Sequence, residues 1–291
     1  MSSSTLYLPS LDNLTNLVQA ETDRRYQAAE LAHCAADPLY WINNYVWTFD
    51  PRLEVKDIPF HLYDYQIDTL RWLEARYHAH EDGLIEKSRD MGVSWLCLSQ
   101  ITHHWLFEPG YQALLGSRKE DLVDNNLLDS LFGKLDFLIK HLPHWMIPAG
   151  FDFNKHRLFM KLDNPANSAA LIGESSNPNF GRQGRYSEVL MDEGDFWPFL
   201  RAAWKSSADS APCRIIVSNP NPYGTGYFKD MRYSGKTKVL TQHWTLHPLK
   251  DTNWYKTEHT RRTDEDIASE LDISYDRGLK GHVYAEWGRV K

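Results

Sequence analysis

Residues Glu86–Ser94 have types and spacing that suit phosphate binding. In the standard loop, G-x-x-x-x-G-K-[ST], backbone N–H groups surround the phosphates, a lysine reaches the β- and γ-phosphates, and a hydroxyl contacts Mg²⁺. Here Gly92 and Ser94 occupy the positions of the second glycine and the hydroxyl. Val93 replaces the lysine, and Lys87 stands at the first-glycine position. A cation there can reach the same phosphates from the other side. We therefore predict an ATP-binding loop formed by Lys87, Ser88, Arg89, Asp90, Met91, Gly92, Val93 and Ser94.

The sequence on either side of this loop predicts a strand before it and a helix after it. Gly83–Ile85 is short and apolar, as in a buried strand. Apolar residues then recur at helical spacing: Trp95, Leu96, Leu98, Ile101, Trp105 and Leu106. A helix N-terminus after a strand collects free N–H groups and a positive dipole end around a phosphate. An ordinary strand-to-helix turn gives the same local pattern, so a second signal is needed.

That second signal is a pair of carboxylates at the end of the apolar segment Ser187–Glu193. In enzymes with a phosphate loop, an aspartate at a strand end holds Mg²⁺, and a neighbouring carboxylate orients the attacking water. We assign these roles to Asp192 and Glu193. The alternative is that both residues start the following helix, where acidic side chains are favoured. Together with the loop, however, the pair predicts an Mg²⁺-dependent ATPase.

Two further segments carry polar side chains where such a site needs them. Tyr65 and Gln66 lie about twenty residues before the loop, and a glutamine amide can donate to and accept from an adenine edge. An exposed helical glutamine is the alternative. Ser218 and Asn219 end the apolar segment that starts at Cys213, where they could sense the γ-phosphate. The alternative there is a simple strand-to-turn transition.

A glycine-containing segment, Phe180–Arg185, places two arginines just before the carboxylate strand. Arg182 or Arg185 could stabilise charge in the transition state, in its own subunit or in a neighbour. Either could instead contact DNA phosphates or remain a solvated surface residue.

The order of these motifs resembles the large terminase subunit of tailed bacteriophages, the ATPase motor that packages DNA into capsids. The resemblance covers about residue 60 to the end, including Asp264–Asp272 and Gly281–Tyr284. It implies a displaced loop lysine at Lys87, a loop arginine at Arg89, and a metal site formed by Ser94 and Asp192. It also implies a catalytic base at Glu193, a coupling motif at Ser218 and Asn219, and an arginine finger at Arg182 or Arg185.

The fold class that we predict is α/β. Alternating strands and helices indicate a mostly parallel sheet flanked by helices, and the resemblance implies an additional-strand, RecA-like P-loop NTPase core. We expect a helical preface over residues 1–55, the ATPase core over 56–245, and a small lid or linker subdomain over 246–291. The chain stops where the family's nuclease domain would follow, so we expect an isolated ATPase domain without nuclease activity.

Individual elements can also be predicted. The pattern predicts strands at Gln112–Gly116, Pro212–Val217 and Lys238–Thr241, a helix over about residues 60–80, and a helix over Asp121–Ile139. It predicts a hairpin that pairs Arg157–Leu162 with Ser168–Ile172, and a capping box formed by Thr263 and Asp266.

Composition narrows the class of protein. The formal net charge of −7 argues against a surface that binds DNA throughout, although a motor needs only a local basic strip. The three cysteines and thirteen histidines have no metal-ligand spacing, and no apolar run approaches a membrane span. The cofactors that we expect are ATP and Mg²⁺. The resemblance implies double-stranded DNA, a portal protein, a small terminase subunit and further copies in a ring as partners. It places the protein in the host cytoplasm, docked transiently on the procapsid.

Two other function classes share part of this pattern. A helicase or repair translocase has the same phosphate loop, glutamine and paired carboxylates, but usually needs a second core domain that supplies arginines. A nucleotide-binding assembly module without turnover would explain the missing standard lysine, but it would not need Glu193. DNA-stimulated ATP hydrolysis, measured together with strand separation, distinguishes the three.

Overall fold

The computed structural model describes residues 18–19 and 22–275. Of the predicted segments, Gly281–Tyr284 and the first seventeen residues lie outside the described part. The helices are α1 (Arg24–Ala36), α2 (Pro38–Tyr45), α3 (Asp64–Ala79), α4 (Val93–Phe107), α5 (Glu120–Val123), α6 (Leu131–Lys140), α7 (Phe153–His156), α8 (Leu200–Ser206), α9 (Tyr227–Tyr233), α10 (Thr252–Arg261) and α11 (Asp264–Asp266). Short 3₁₀ turns occupy His144–Met146, Gly194–Phe196 and Trp244–Leu246, and a π-helical turn occupies Ile267–Leu271.

The strands form one large sheet and one small ribbon. They are β1 (Trp47–Phe49), β2 (Asp57–Pro59), β3 (Gly83–Lys87), β4 (Gln112–Ser117), β5 (Arg157–Leu158), β6 (Lys161–Asp163), β7 (Ala170–Ser175), β8 (Glu188–Asp192), β9 (Cys213–Ser218) and β10 (Lys238–Gln242). The eight-stranded sheet has the order β10-β3-β9-β8-β4-β7-β6-β5, and β1 pairs with β2 in the ribbon. The β10–β3, β3–β9 and β9–β8 pairs are parallel, whereas β7–β6 and β6–β5 are antiparallel. The predicted α/β class with a mostly parallel sheet is confirmed.

The chain divides into two compact units that interleave in sequence. The first contains residues up to Leu62, Trp95–Ala113 and Asp121–Gly173, and the second contains Tyr63–Ser94, Leu114–Glu120 and the chain from Glu174 onward. The predicted boundaries after residues 55 and 245 stay predictions, since they describe sequence segments rather than these units. Every residue that we predicted to bind or act on ATP belongs to the second unit.

Three neighbouring parallel strands of the second unit are buried along nearly their whole length. The β8 and β9 strands are buried at every position, and β3 is buried except at Lys87, its last residue. Strands buried in this way are typical of parallel sheets covered on both faces. Because the strands run in parallel, the carboxyl ends of β3, β9 and β8 meet at one edge of the sheet, which is the edge where ligands bind in open α/β sheets.

The prediction of one continuous helix over Asp121–Ile139 is wrong, because the middle of this segment is not helical. The structure breaks it into α5 and α6, because the intervening side chains hydrogen-bond to nearby backbone and compete with helical bonding. Asn125 Oδ1 accepts from the Leu127 N–H at 2.8 Å, and Asn126 adopts a left-handed φ of 63°. Ser130 then caps the start of α6.

Two other predictions from the first unit need correction. The preface predicted over residues 1–55 is not helical throughout, because Trp47–Phe49 forms a strand that pairs with Asp57–Pro59. The first arm of the predicted hairpin, Arg157–Leu162, is not one continuous strand, because it turns back on itself and β5 pairs with β6. The pairing of that arm with Ser168–Ile172 is confirmed, since β6 and β7 are antiparallel partners.

Most of the remaining element predictions are confirmed. The strands predicted at Gln112, Pro212 and Lys238 are β4, β9 and β10, each within one residue of its predicted start. The Thr263 hydroxyl and the Asp266 carboxylate form the predicted capping box. No described helix is both long and apolar enough to cross a membrane.

Candidate active site

The phosphate loop has the predicted strand, loop and helix arrangement. Strand β3 ends at Lys87, the loop follows, and α4 starts at Val93. Gly92 has a φ of 73°, and a Cβ atom at this position would lie 2.7 Å from Gln66 Nε2. The backbone conformation therefore favours glycine, and a side chain here would also displace the Gln66 amide. Asp90 also has a positive φ, of 57°, which costs energy for a residue with a side chain.

Lys87 contacts the predicted coupling motif. Its Nζ donates a hydrogen bond to Asn219 Oδ1 at 2.7 Å. Desolvation by burial lowers the pKa of Lys87, and the charges of Asp192 and Glu193 act in the opposite direction. Lys87 therefore joins the end of β3 to the residue that follows β9, within range of the charges of both predicted carboxylates.

Ser94 and Asp192, which we predicted to bind Mg²⁺, contact each other. The Ser94 hydroxyl lies 3.0 Å and 3.1 Å from the two carboxylate oxygens of Asp192. Asp192 is the last residue of β8, and its backbone carbonyl accepts a hydrogen bond from Trp197 Nε1 at 2.9 Å. A hydroxyl and a carboxylate this close are oxygen ligands of the type that Mg²⁺ prefers, with water completing its shell. Among residues 18–19 and 22–275, no cluster of three or more His, Cys, Asp or Glu side chains could hold a metal by itself.

Glu193 follows Asp192 and lies in a more open environment. Its backbone φ is 53°, and its side chain is about half exposed, at 46%. Glu193 Oε2 lies 3.0 Å from Arg118 Nε, with which it forms an ion pair. Sequence reasoning missed Arg118, because it directly follows β4 and belongs to no recognisable motif. The structure thus places an arginine beside the predicted base that is neither Arg182 nor Arg185.

A third carboxylate, Asp195, connects the turn after β8 to the segment after β9. Its backbone N–H donates to Ser218 Oγ at 3.1 Å, and its Oδ2 accepts from the Asn221 N–H at 2.7 Å. Burial raises the pKa of Asp195 to about 6, whereas the hydrogen bond from Asn221 lowers it. Sequence reasoning missed this residue too, although it stands two positions after Glu193. The contacts of Asp195 to Ser218 and Asn221 show that it links the two segments.

Tyr65 and Gln66 contact the loop itself. The Tyr65 hydroxyl donates to the Met91 carbonyl at 3.0 Å, and Gln66 Nε2 donates to the same carbonyl at 3.3 Å. Gln66 Oε1 accepts from the Tyr63 N–H at 3.1 Å. Both side chains are buried, so the structure assigns them a part in holding the loop. Adenine contact by Gln66 stays a prediction.

Arg89 and Ser88 face the C-terminal part of the second unit. Arg89 Nη1 pairs with Glu270 Oε1 at 2.8 Å, and the Arg89 N–H donates to the Glu270 carbonyl at 2.7 Å. The Ser88 N–H donates to the Gln242 carbonyl at 2.8 Å, and its hydroxyl donates to the Leu271 carbonyl. These contacts leave Lys87 as the loop cation that lies beside Asp192 and Glu193.

The loop that carries Arg182 and Arg185 has an anchored base and an exposed tip. Glu174 Oε2 accepts from the Gly181 N–H at 2.9 Å, and the Ser210 hydroxyl donates to the Gly181 carbonyl at 2.7 Å. Phe180 is fully buried. Both arginines are exposed, and Arg182 directly follows the anchored glycine.

Known structures share this fold. The chain matches the large terminase ATPase domain of Thermus phage P74-26, in a point mutant, with 15% identity and a TM-score of 0.50, covering 74% of this chain and 99% of that one. It matches the large terminase of bacteriophage HK97 with 14% identity and a TM-score of 0.51, covering 88% and 52% of the two chains. It also matches the large terminase of another thermophilic bacteriophage, solved in complex with ADP, with 14% identity and a TM-score of 0.52, covering 73% and 53%.

These likenesses concern the fold. The chain spans about half the length of the HK97 terminase and of the ADP-bound terminase. No protein-family model matches the sequence, and no curated protein does either. The match of the sheet and its flanking helices confirms the fold that the motifs led us to expect. The chain has the fold of the ATPase domain of phage large terminases, which is a P-loop NTPase fold.

Proposed function

We propose that this chain hydrolyses ATP in an Mg²⁺-dependent reaction and uses the energy to move double-stranded DNA into a viral procapsid. One observation carries the proposal. The carboxyl ends of three adjacent parallel strands bring together Lys87, the pair of Ser94 and Asp192, Glu193, and Asn219. One phage terminase that shares the fold has been solved with ADP. Nucleotide binding by this chain is therefore part of the proposal.

Lys87 and the start of α4 bind the phosphates in this account. The N–H groups of Ser88 and Arg89 already donate to Gln242 and Glu270. Phosphate binding then falls to the N–H groups at the start of α4, where the helix dipole adds positive potential. Lys87 adds a full charge from the end of β3.

Ser94 and Asp192 hold Mg²⁺ in this account. Held by these two side chains, Mg²⁺ would neutralise charge on the phosphate oxygens. Because the Ser94 hydroxyl lies within 3.1 Å of both Asp192 oxygens, the two side chains need little rearrangement to share one ligand. The Trp197 hydrogen bond fixes the Asp192 backbone and so limits its movement.

Glu193 acts as the base that accepts a proton from the attacking water. Its side chain is open enough for water to reach it, whereas Asp192 is almost fully buried. Arg118 holds the Glu193 carboxylate at one side through their ion pair. The two consecutive carboxylates therefore have different roles in this proposal: Asp192 binds the metal and Glu193 accepts the proton.

Ser218 and Asn219 couple the state of the phosphates to the rest of the second unit. Asn219 contacts Lys87, and its Nδ2 donates to the Glu270 carbonyl at 3.3 Å. Ser218 accepts from Asp195 in the turn that follows Glu193. When phosphate release changes what Lys87 contacts, the Lys87–Asn219 bond gives a direct route to the segments after β8 and β9.

The partners belong to the proposal as well. We propose that the chain works as a ring of copies on a portal protein with a small terminase subunit, in the host cytoplasm. The exposed Arg182 and Arg185 suit contact with a neighbouring copy or with DNA phosphates. With a net charge of −7, DNA contact must be local.

Hydrolysis of MgATP, measured with and without double-stranded DNA and in parallel with strand separation, tests the proposal. We expect hydrolysis that requires Mg²⁺, rises with duplex DNA and is not accompanied by strand separation. Strand separation would favour a helicase. Tight nucleotide binding without turnover, in the presence of DNA and at high protein concentration, would favour an assembly module.

A further inference from the structure

A second lysine, distant in sequence, contacts the phosphate loop. Lys250 Nζ donates to the Arg89 carbonyl at 2.6 Å and to the Asp90 carbonyl at 3.0 Å. The same ammonium lies 3.8 Å from Met91 Sδ and 4.9 Å from the centre of the Trp254 ring. The lysine therefore contacts three consecutive residues of the loop. None of the motifs in the sequence indicated this contact.

We propose that Lys250 is a positioning residue for nucleotide binding, which acts through the backbone of the phosphate loop. A peptide group whose carbonyl is held on one side presents the following N–H on the other. By binding the carbonyls of Arg89 and Asp90, Lys250 fixes the peptides that lead into Asp90 and Met91. Asp90 is the non-glycine residue of the loop with a left-handed φ, of 57°, and such a conformation persists when surrounding contacts hold it.

Charge adds to this effect. An ammonium that donates to two carbonyls polarises both peptide groups, and charge-assisted hydrogen bonds are the strong ones. The ammonium also adds a further positive charge beside the loop, besides those of Lys87 and Arg89. Its position is fixed by the contact with Trp254 on α10, so the segment between β10 and α10 controls the shape of the loop.

Neighbouring contacts bind the loop from the same part of the chain. The Trp244 N–H donates to Ser88 Oγ at 2.9 Å, and the Glu270 carbonyl accepts from the Arg89 N–H. These bonds hold the start of the loop. Lys250 adds contacts to Asp90 and Met91, the two residues directly before Gly92.

Three variants test this inference, which rests on the proposed nucleotide binding. Lys250→Met keeps the length of the apolar side chain and removes the charge, whereas Lys250→Arg keeps a positive charge. Lys256→Met, which removes an exposed lysine from α10, is the matched control. Binding of a fluorescent ADP with Mg²⁺ is measured directly, together with KM and kcat for ATP and the thermal midpoint without nucleotide.

For Lys250→Met we expect the Kd for ADP and the KM for ATP to rise about tenfold, as when one charge-assisted group is lost, with kcat and the nucleotide-free midpoint unchanged. Lys250→Arg should recover most of the affinity, and Lys256→Met should match wild type. Wild-type affinity in Lys250→Met would overturn the inference. A lower thermal midpoint in both Lys250 variants, with an equal loss of ADP binding, would also overturn the inference, because that result indicates a structural role. Absence of ADP binding by the wild-type protein would instead contradict the proposed function.

Discussion

At the scale of single residues, the site depends on which cation meets the phosphates. Arg89 is occupied by Glu270, whereas Lys87 lies beside Asp192 and Glu193 and donates to Asn219. In the proposed site, a lysine at the end of β3 reaches the phosphates in place of a lysine at the standard position, which Val93 fills. We therefore propose two roles for Lys87, as a phosphate ligand and as the contact to Asn219.

This division of roles gives the first prediction. Replacing Lys87 with alanine should weaken binding of MgATP by more than about tenfold, because a full charge near the phosphates is lost. Arg89→Ala should have a smaller effect, since that side chain faces Glu270, and Lys236→Ala should have none. Fluorescent nucleotide titration of the three variants measures these effects.

If Lys87→Ala bound and hydrolysed ATP normally, Arg89 would be the principal cation and the displaced-lysine interpretation would be wrong. Adding Val93→Lys to Lys87→Ala is a further check. Because a lysine at position 93 restores the standard loop, we expect partial recovery of binding.

At the scale of elements, the carboxyl ends of β8 and β9 are joined by Asp195. The residue is 3% exposed, and its contacts connect the turn after Glu193 to Ser218 and Asn221. Its Oδ1 atom is buried without a hydrogen-bond partner among the described residues. A charge at this position is therefore costly, and the raised pKa is the result.

The pH dependence of stability tests this link. Burial raises the pKa of Asp195 from 3.8 to about 6, so between these values the folded protein keeps a proton that the unfolded chain has lost. This group therefore lowers the free energy of unfolding as pH rises through that window. Asn cannot titrate and keeps an acceptor for the Asn221 N–H. Between pH 5 and pH 8, the free energy of unfolding of Asp195→Asn should rise by about 1 kcal/mol relative to that of wild type.

Urea unfolding of both proteins at the two pH values measures that gain, with Asp209→Asn as the control. A stability difference that does not change with pH would mean that Asp195 has an ordinary pKa in the folded protein. The buried-carboxylate account of the link would then be wrong.

The sequence predicts those parts of the site that depend on neighbouring residues, and it misses contacts between residues that are far apart in the chain. The loop, the carboxylate pair and the strand ends are local patterns of burial and periodicity, which a sequence shows directly. Lys250 contacts Arg89 across 161 positions, and Arg118 meets Glu193 from a strand end that carries no motif. Such pairings depend on the order of strands in the sheet, which local patterns do not give.

At the scale of the whole molecule, the structure has two units interleaved in sequence and one continuous strand order. Alternating strands and helices predicted the parallel strands of the second unit. The antiparallel strands of the first unit and the break between α5 and α6 were harder to predict. Short strands and asparagine-containing turns there give weak periodic signals, and they depend on side-chain contacts such as that of Asn125 with the Leu127 N–H.

Assembly gives the prediction at this scale. The hydrogen bonds of Gly181 anchor the base of the loop, and we expect Arg182, the next residue, to act as the arginine finger. If it acts in a neighbouring copy, mixing Arg182→Ala with Glu193→Gln creates some interfaces in which both groups are intact. ATP hydrolysis by the mixture should then exceed that of either variant alone.

Arg185→Ala mixed with Glu193→Gln is the matched comparison, and light scattering confirms that the copies assemble. No recovery with Arg182→Ala, in confirmed assemblies, would place this arginine in its own subunit's site or on DNA. Recovery with Arg185→Ala alone would reassign the finger.

The measurement that tests the central claim most directly is MgATP turnover by Glu193→Gln, together with direct nucleotide binding. The substitution keeps the shape of the side chain and removes the proton acceptor. The account predicts that kcat falls by roughly 10²–10⁴-fold while MgATP binding stays at the wild-type level, with Glu120→Gln behaving as wild type. Hydrolysis by Glu193→Gln at close to the wild-type rate would show that Glu193 is not the base, and would contradict the proposed ATPase site.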